Sequence, residues 1–400
     1  MSIYSKLQIE PADPIIKVMV RSAQDSSPDK VDVTIGVYKD EDGSSLTFPV
    51  VKKAKEILHT NDPGHSYTTM QGIPEFNKGA RDVVFGEYGK NDNIVTIQTI
   101  SGTGAIYMAT NFLTEAGWKD YYVGNPAWSN YYQTIDFAGG KAHTYTHYDE
   151  KAQKIDFDSL LEALNTAPAN SIFLLQTCCH NPTGADFSKD QWKTIGELMK
   201  KNKLIPILDT AYQGFATGDK YEDAWPVRYF YELNIDFLVC QSFSKNLGLY
   251  GERTGALHVV VQDRNLLPNV TSTLLALFRK ICSFAPAWGA RIAAEVFKSE
   301  ELTKEWDQNV ADVTKRLRTI REKVHQKFVE LKTPGDWSPV LVQTGLFWYS
   351  GLTEDHIEQL AVHHHVYATT YGRINVSGLN DANIDYFCRA VDTVVRGSAN

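Results

Sequence analysis

The sequence predicts an α/β fold in which a mostly parallel sheet is covered by helices and followed by a smaller α+β appendage. Short apolar runs with the β-branched and aromatic character of buried strands recur along the chain, and helical patterns lie between them. Alternation of this kind argues parallel strands with helical crossovers. Each run also ends in a loop of polar and small residues, so the unusual polar residues gather on one rim. That rim is the carboxyl end of the strands, where open α/β sheets bind their ligands.

Residues 1–13 are Pro-bearing and weakly patterned, and read as an arm. Ile15 to Ser22 has a helical pattern, Val31 to Gly36 alternates toward a glycine as a strand does, and Val50 to His59 is helical again. Ile94 to Ile100 reads as a strand that runs straight into Ser101-Gly102-Thr103-Gly104-Ala105, with a helix continuing to about Ala116. Small residues at such a turn leave N–H groups free at a helix N-terminus, which suits phosphate. By itself the stretch reads equally as a plain tight connection. It also contains Gly-x-Gly, but Tyr107 stands where a dinucleotide fingerprint needs its third glycine.

Four more strands follow with the same rhythm. Tyr121–Val123 ends in Gly124-Asn125-Pro126-Ala127-Trp128, and Ile172–Gln176 ends in Cys178-Cys179-His180-Asn181-Pro182-Thr183-Gly184. Leu204–Leu208 ends in Asp209-Thr210-Ala211-Tyr212, and Phe237–Cys240 ends in Ser242-Phe243-Ser244-Lys245-Asn246. A helix is expected over Lys189–Lys201, and another strand over Gly255–Val261. Glu301 to Leu331 is a long charged amphipathic stretch that suits a helix connecting two domains. The tail carries short strands near Leu346–Trp348 and Ile374–Val376, with helices over Glu354–His364 and Ala382–Val395. His363, His364 and His365 complement the dipole at a helix C-terminus rather than forming a metal tract.

Composition narrows the function. Of 400 residues 43% are hydrophobic, enough for a sizeable core. A net charge of −8 argues against holding a polyanion such as nucleic acid by bulk electrostatics, so anionic ligands need local basic sites. Five cysteines without a C-x-x-C make no disulfide framework, and the plain reading is a reducing compartment. With no secretory or transit pattern at the N-terminus and no long apolar run, the expectation is a cytoplasmic protein that does not span a membrane.

Lys245 alone reads as a surface lysine, and its companions change that. Asp209, Tyr212 and Lys245 fall on adjacent strand ends, and pyridoxal phosphate needs a lysine for its aldehyde, an acid at its pyridine nitrogen and donors at its phenolate oxygen. Asp209 suits the acid, and Tyr212 and Asn181 the donors. Ser101, Gly102, Thr103, Ser242 and Arg253 suit the phosphate, for which arginine offers a planar fork.

These blocks, together with Tyr250-Gly251-Glu252-Arg253 and Gly372-Arg373-Ile374-Asn375-Val376-Ser377-Gly378, occur in an order that resembles the aspartate aminotransferase family, the class I pyridoxal-phosphate enzymes of fold type I. The resemblance runs from about residue 30 to the C-terminus. It implies a homodimer with shared active sites that moves an amino group between aspartate and 2-oxoglutarate, its partners being small-molecule amino acids and 2-oxo acids. It also implies an arm of residues 1–13, a large domain of residues 45–312, and a small domain of residues 14–44 and 313–400.

Roles follow for single residues. Lys245 becomes the Schiff-base lysine and the acid/base of the proton shift, Asp209 the pyridinium partner, and Trp128 the ring stacked on the cofactor. Tyr67 reaches the phosphate of the neighbouring subunit. Arg373 clamps the substrate α-carboxylate beside Gly36, Trp128 and Asn181, and Arg279 crosses the dimer interface to the distal carboxylate. The chain departs from the family at Tyr131 and Gln176, where many members carry histidines, and in the run Ile281-Cys282-Ser283-Phe284 after Arg279. The first difference bears on cofactor tuning, the second on the choice between aspartate and aromatic amino acids. A nicotinamide-dependent oxidoreductase leaves Lys245, Tyr212 and the Asn-Pro-Thr-Gly block unexplained. A non-catalytic scaffold would carry an unused cluster of buried charge, which costs stability.

Overall fold

The computed structural model describes residues 2–9 and 14–397, so residues 1 and 10–13 of the expected arm lie outside the described residues. Its centre is a seven-stranded sheet with the spatial order Ile94–Ile100, Thr254–Val260, Phe237–Ser242, Ile205–Thr210, Ile172–Gln176, Asp120–Asn125 and Lys141–Thr146. The last five of these run parallel, and Thr254–Val260 alone is antiparallel to both its neighbours. The strands expected from the apolar runs are therefore present, and the edge strand Lys141–Thr146 joins them.

Strand patterning explains the layers. Phe237–Ser242 is buried along its whole length, as a central strand covered on both faces must be. Leu238 and Cys240 pack on one side with Ile106, Met108 and Leu113 of the helix Ser101–Glu115 and with Leu274 and Phe278 of Leu267–Ile281. Phe237 and Val239 face the other way, toward Leu160, Trp192, Ile195 and Phe230. Lys189–Lys201 covers that second face and starts with a capping box between Ser188 and Gln191, so its first orphan N–H groups are satisfied.

The long helix spans Glu300–Leu331, 32 residues. Trp306, Val310, Val313, Leu317, Ile320 and Val324 recur at steps of three and four residues along one buried stripe. Two polar contacts tie it to the site. Trp306 Nε1 donates to Asn246 O at 2.6 Å, and Thr314 Oγ1 donates to Gly214 O at 2.9 Å. The helix thus pins the loop after Lys245 and the loop after Tyr212 from below.

N- and C-terminal parts of the chain meet beside the sheet. Val31–Asp32 pairs in parallel with Val366–Tyr367, and Phe347–Tyr349 pairs antiparallel with Arg373–Asn375. Of the stretch Val31–Gly36 only Val31–Asp32 is strand; Val33 still bonds Tyr367 and Asn375 through its backbone, and beyond it Asn375 Nδ2 donates to Ile35 O at 2.5 Å and to Val37 O at 2.8 Å. A side chain takes the place of the ladder, and Gly36 is freed to face the cavity at the strand ends.

Candidate active site

A cavity of about 230 Å³ opens beyond the carboxyl ends of the parallel strands. Three strand ends and one helix start build it. The strand Ile205–Thr210 delivers Asp209, its neighbour Phe237–Ser242 leads into Lys245, and Ile172–Gln176 leads into Asn181. The helix Ser101–Glu115 points its N-terminus at the same space, where its free backbone N–H groups favour an anion.

The anion end is a crook of hydroxyls. Ser101 Oγ lies 2.8 Å from Ser244 Oγ and 3.3 Å from Ser242 Oγ, and Ser101 N donates to Arg253 O at 3.0 Å. Ser101 and Arg253 both adopt left-handed backbone, with φ of 59° and 53°. Strained residues of this kind persist where surrounding structure over-determines them, as it does at ligand clamps. Gly255 makes the approach possible, because a Cβ there would meet the Ser101 carbonyl carbon at 2.5 Å.

Lys245 Nζ lies 5.1 Å from the centre of the Tyr212 ring. Burial lowers its pKa to about 8; the Asp209 charge opposes that shift, and Arg253 and Arg373 reinforce it. A neutral amine is therefore accessible near physiological pH, as nucleophilic attack on a carbonyl requires. Asp209 is only 4% exposed, and burial raises its carboxyl to about 6 against the opposing pull of the Tyr131 hydroxyl and Lys245. Its Oδ2 accepts from Tyr131 Oη, while its Oδ1 has no hydrogen-bond partner among the described residues.

Arg373 closes the opposite wall. Its Nη1 donates to Asn181 Oδ1 at 3.0 Å, its Nη2 to Thr34 O at 2.9 Å, and its guanidinium lies 4.2 Å from the centre of the Phe347 ring. Arg373 Nε is buried without a partner among the described residues, leaving a donor for a carboxylate. Because Asn181 spends its oxygen on Arg373, its amide N–H₂ remains for a ligand acceptor.

Of the residues singled out in the sequence, Gly36, Gly102, Thr103 and Trp128 line this cavity along with the Ser101, Ser242, Lys245, Arg253, Asp209, Tyr212, Asn181 and Arg373 groups just described. Tyr67 and Arg279 do not. Tyr67 is 86% exposed and stacks on Phe284 at 4.8 Å, and Arg279 is exposed in the last turn of Leu267–Ile281. Ile15, Ser244 and Phe347 also line the cavity but received no role from the sequence. Ser244 was within reach of a motif reading, since it stands next to the lysine.

Gln176 makes no hydrogen bond to the Asp209 carboxylate among the described residues. Its Oε1 accepts from Asn181 N at 2.9 Å and its Nε2 donates to Asn181 O at 3.2 Å, clamping the loop that carries Asn181. The cavity therefore offers an amine, a carboxylate oxygen without a partner, and a hydroxyl crook with an arginine. Three basic side chains face a single carboxylate, so the local charge is opposite to that of the whole chain. These groups fit pyridoxal phosphate.

Comparisons with known proteins agree with that chemistry. The family model "Aminotransferase class I and II" matches residues 28–391. The cytoplasmic aspartate aminotransferase of Schizosaccharomyces pombe is 37% identical, over 99% of this chain and 99% of that protein. The solved aspartate aminotransferase from Saccharomyces cerevisiae cytoplasm superposes with a TM-score of 0.96 at 34% identity, covering 99% of both chains. An aromatic-amino-acid aminotransferase from Burkholderia pseudomallei, covalently bound to pyridoxal phosphate, superposes with a TM-score of 0.95 at 33% identity, covering 99% of this chain and 100% of that one.

Proposed function

The chain belongs to the class I and II aminotransferase family, and from that premise we propose that it is a pyridoxal-phosphate-dependent aspartate aminotransferase, moving the amino group between L-aspartate and 2-oxoglutarate. The observation that carries the reading is the joint placement of Lys245, the Asp209 carboxylate with its free Oδ1, and the Ser101/Ser242/Arg253 crook on one cavity. Pyridoxal phosphate, when bound, supplies an aldehyde for the amino group and a ring that takes up the electrons released at the substrate Cα.

Each residue then has a task. Ser101, Gly102, Thr103, Ser242 and Arg253 hold the phosphate, and Asp209 keeps the pyridine nitrogen protonated. Tyr212 and Asn181 donate to the phenolate oxygen, and Trp128 packs on the ring face. Lys245 Nζ takes the proton from the substrate Cα, a task for which a pKa of about 8 suits it. Arg373 binds the α-carboxylate, beside Gly36.

Tyr67 and Arg279 are assigned to the neighbouring site of a homodimer, with the large domain at residues 45–312 and the small domain at residues 14–44 and 313–400. What supports this is their outward position, away from the cavity of their own chain. The cytoplasm is the proposed compartment, in line with the similar fission yeast protein.

A second reading, an aromatic or broad-specificity aminotransferase, is favoured by one observation. The aromatic-amino-acid aminotransferase from Burkholderia pseudomallei superposes almost as closely as the yeast aspartate aminotransferase, with TM-scores of 0.95 and 0.96. The test is kcat/KM for aspartate and for tyrosine in wild type and Arg279→Ala. Aspartate should be preferred, and the substitution should cost aspartate on the order of 10-fold or more, the loss of a charge-assisted pair, while sparing tyrosine. Preference of the wild type for tyrosine would establish the second reading.

A further inference from the structure

The Asp209 carboxylate is served by an unexpected donor. Among the described residues Tyr131 is the only side chain that donates to it, through Oη to Oδ2, and Oδ1 is left without a partner. None of Lys245, Cys240 and Tyr212, the other titratable neighbours, makes a side-chain hydrogen bond to it among the described residues, and Gln176 is committed to the Asn181 backbone. Tyr131 is itself fixed. It is 1% exposed, it belongs to the helix Asn130–Phe137, and its ring meets Trp128 edge to face at 5.4 Å and 84°. One buried side chain thus braces both Asp209 and the Trp128 ring.

We infer that Tyr131 is a positioning residue for the cofactor: by engaging Oδ2 it fixes the Asp209 carboxylate in one orientation and leaves Oδ1 as the single acceptor for the pyridine N–H, while its ring sets the tilt of Trp128. A buried carboxylate with one free oxygen would otherwise rotate about its last torsion, and orienting it when the ligand binds would cost affinity. A phenol is suited to this place. Burial and the Asp209 charge push its pKa upward, so it stays a neutral donor throughout the working pH range. An imidazole at the same position changes charge near neutrality.

The inference rests on the aminotransferase reading and is tested apart from turnover, by titrating apo-protein with pyridoxal phosphate and following tryptophan fluorescence. Wild type, Tyr131→Phe, Asp209→Asn and the double variant are compared. Tyr131→Phe should bind roughly tenfold more weakly, as expected for a lost hydrogen bond to a charged group. Asp209→Asn should lose more, and the double variant should match Asp209→Asn alone, because Tyr131 acts through Asp209. Wild-type affinity in Tyr131→Phe, or losses that multiply in the double variant, would overturn the inference. Should Tyr131→Phe melt below the assay temperature, Tyr131→His, which retains a donor, is compared with Tyr131→Leu, which has none. Tighter binding by the histidine variant supports the inference and equal binding overturns it. Absence of uptake by wild type would instead overturn the reading beneath it.

Discussion

Burial moves the Lys245 ammonium from its ordinary 10.5 down to about 8, and the shift has a stability consequence of definite sign. Between those values the unfolded chain binds a proton that the folded chain has released, so stability rises with pH across that window. Below about 8 the folded apo-protein carries a buried cation at a standing cost. Lys245→Met keeps volume and removes charge. Apo Lys245→Met should therefore melt above wild type at pH 7, and its advantage should fade as pH rises from about 8 toward 10.5, which a melting series across pH reads directly. The same substitution should lower turnover by roughly 10²–10⁴-fold or more, the usual weight of a proton-transferring group. Gln176 makes a second residue-scale prediction. Gln176→Leu removes both bonds to the Asn181 backbone, and Asn181 Oδ1 in turn accepts from Arg373. KM for aspartate should rise several-fold in steady-state assays, with kcat reduced less.

Close backbone approach at the anion crook depends on glycine. A Cβ on Gly255 would lie 2.5 Å from the Ser101 carbonyl carbon and 2.6 Å from Gln241 O, both main-chain atoms that cannot swing aside. Gly255→Ala should cost about 1–3 kcal/mol, as overpacking does, and weaken phosphate binding. Gly251→Ala, with nothing within 4 Å of its added Cβ, should melt like wild type in the same denaturation series. Elements of this kind were legible in the sequence where strong periodicity met a sharp boundary. The helix Lys189–Lys201 and the strand Ile94–Ile100 have the expected bounds because caps and fully buried faces fix them. Local pattern is overridden where a distant side chain takes the backbone, as Asn375 does at Ile35 and Val37, beyond the two-residue strand Val31–Asp32. The cavity-lining groups placed by motif were legible for the same local reason. Tyr131 and Gln176 stood out only as departures, because the Tyr131 contact to Asp209 spans 78 residues of sequence and no spacing rule reaches that far.

Across the whole molecule, several histidines are buried in uncharged form. Burial lowers His147 to about 4 and His258 to about 3, and it depresses His180, which stacks on His147 at 3.8 Å. Unfolding lets each take up a proton near its ordinary value of 6.5, so stability falls as pH drops from about 6.5 toward 4. The urea midpoint should fall across that interval, and His258→Gln should flatten the fall. Shared sites give a further whole-molecule prediction. Mixed dimers of Lys245→Ala with Arg279→Ala chains should recover part of the aspartate activity, and no recovery after proven subunit exchange would place Arg279 outside the neighbour's site. The central claim, that Lys245 and Asp209 on this cavity make a pyridoxal-phosphate aminotransferase, meets its most direct test in one spectroscopic half-reaction. Apo-protein is loaded with pyridoxal phosphate, and its visible absorbance is followed as aspartate is added without a 2-oxo acid acceptor. The protein should be yellow and its band should be lost on adding aspartate, with release of one oxaloacetate per site, and no such change should occur in Lys245→Ala. A wild-type protein that stays colourless, or a yellow one whose spectrum aspartate leaves unchanged, would contradict that claim.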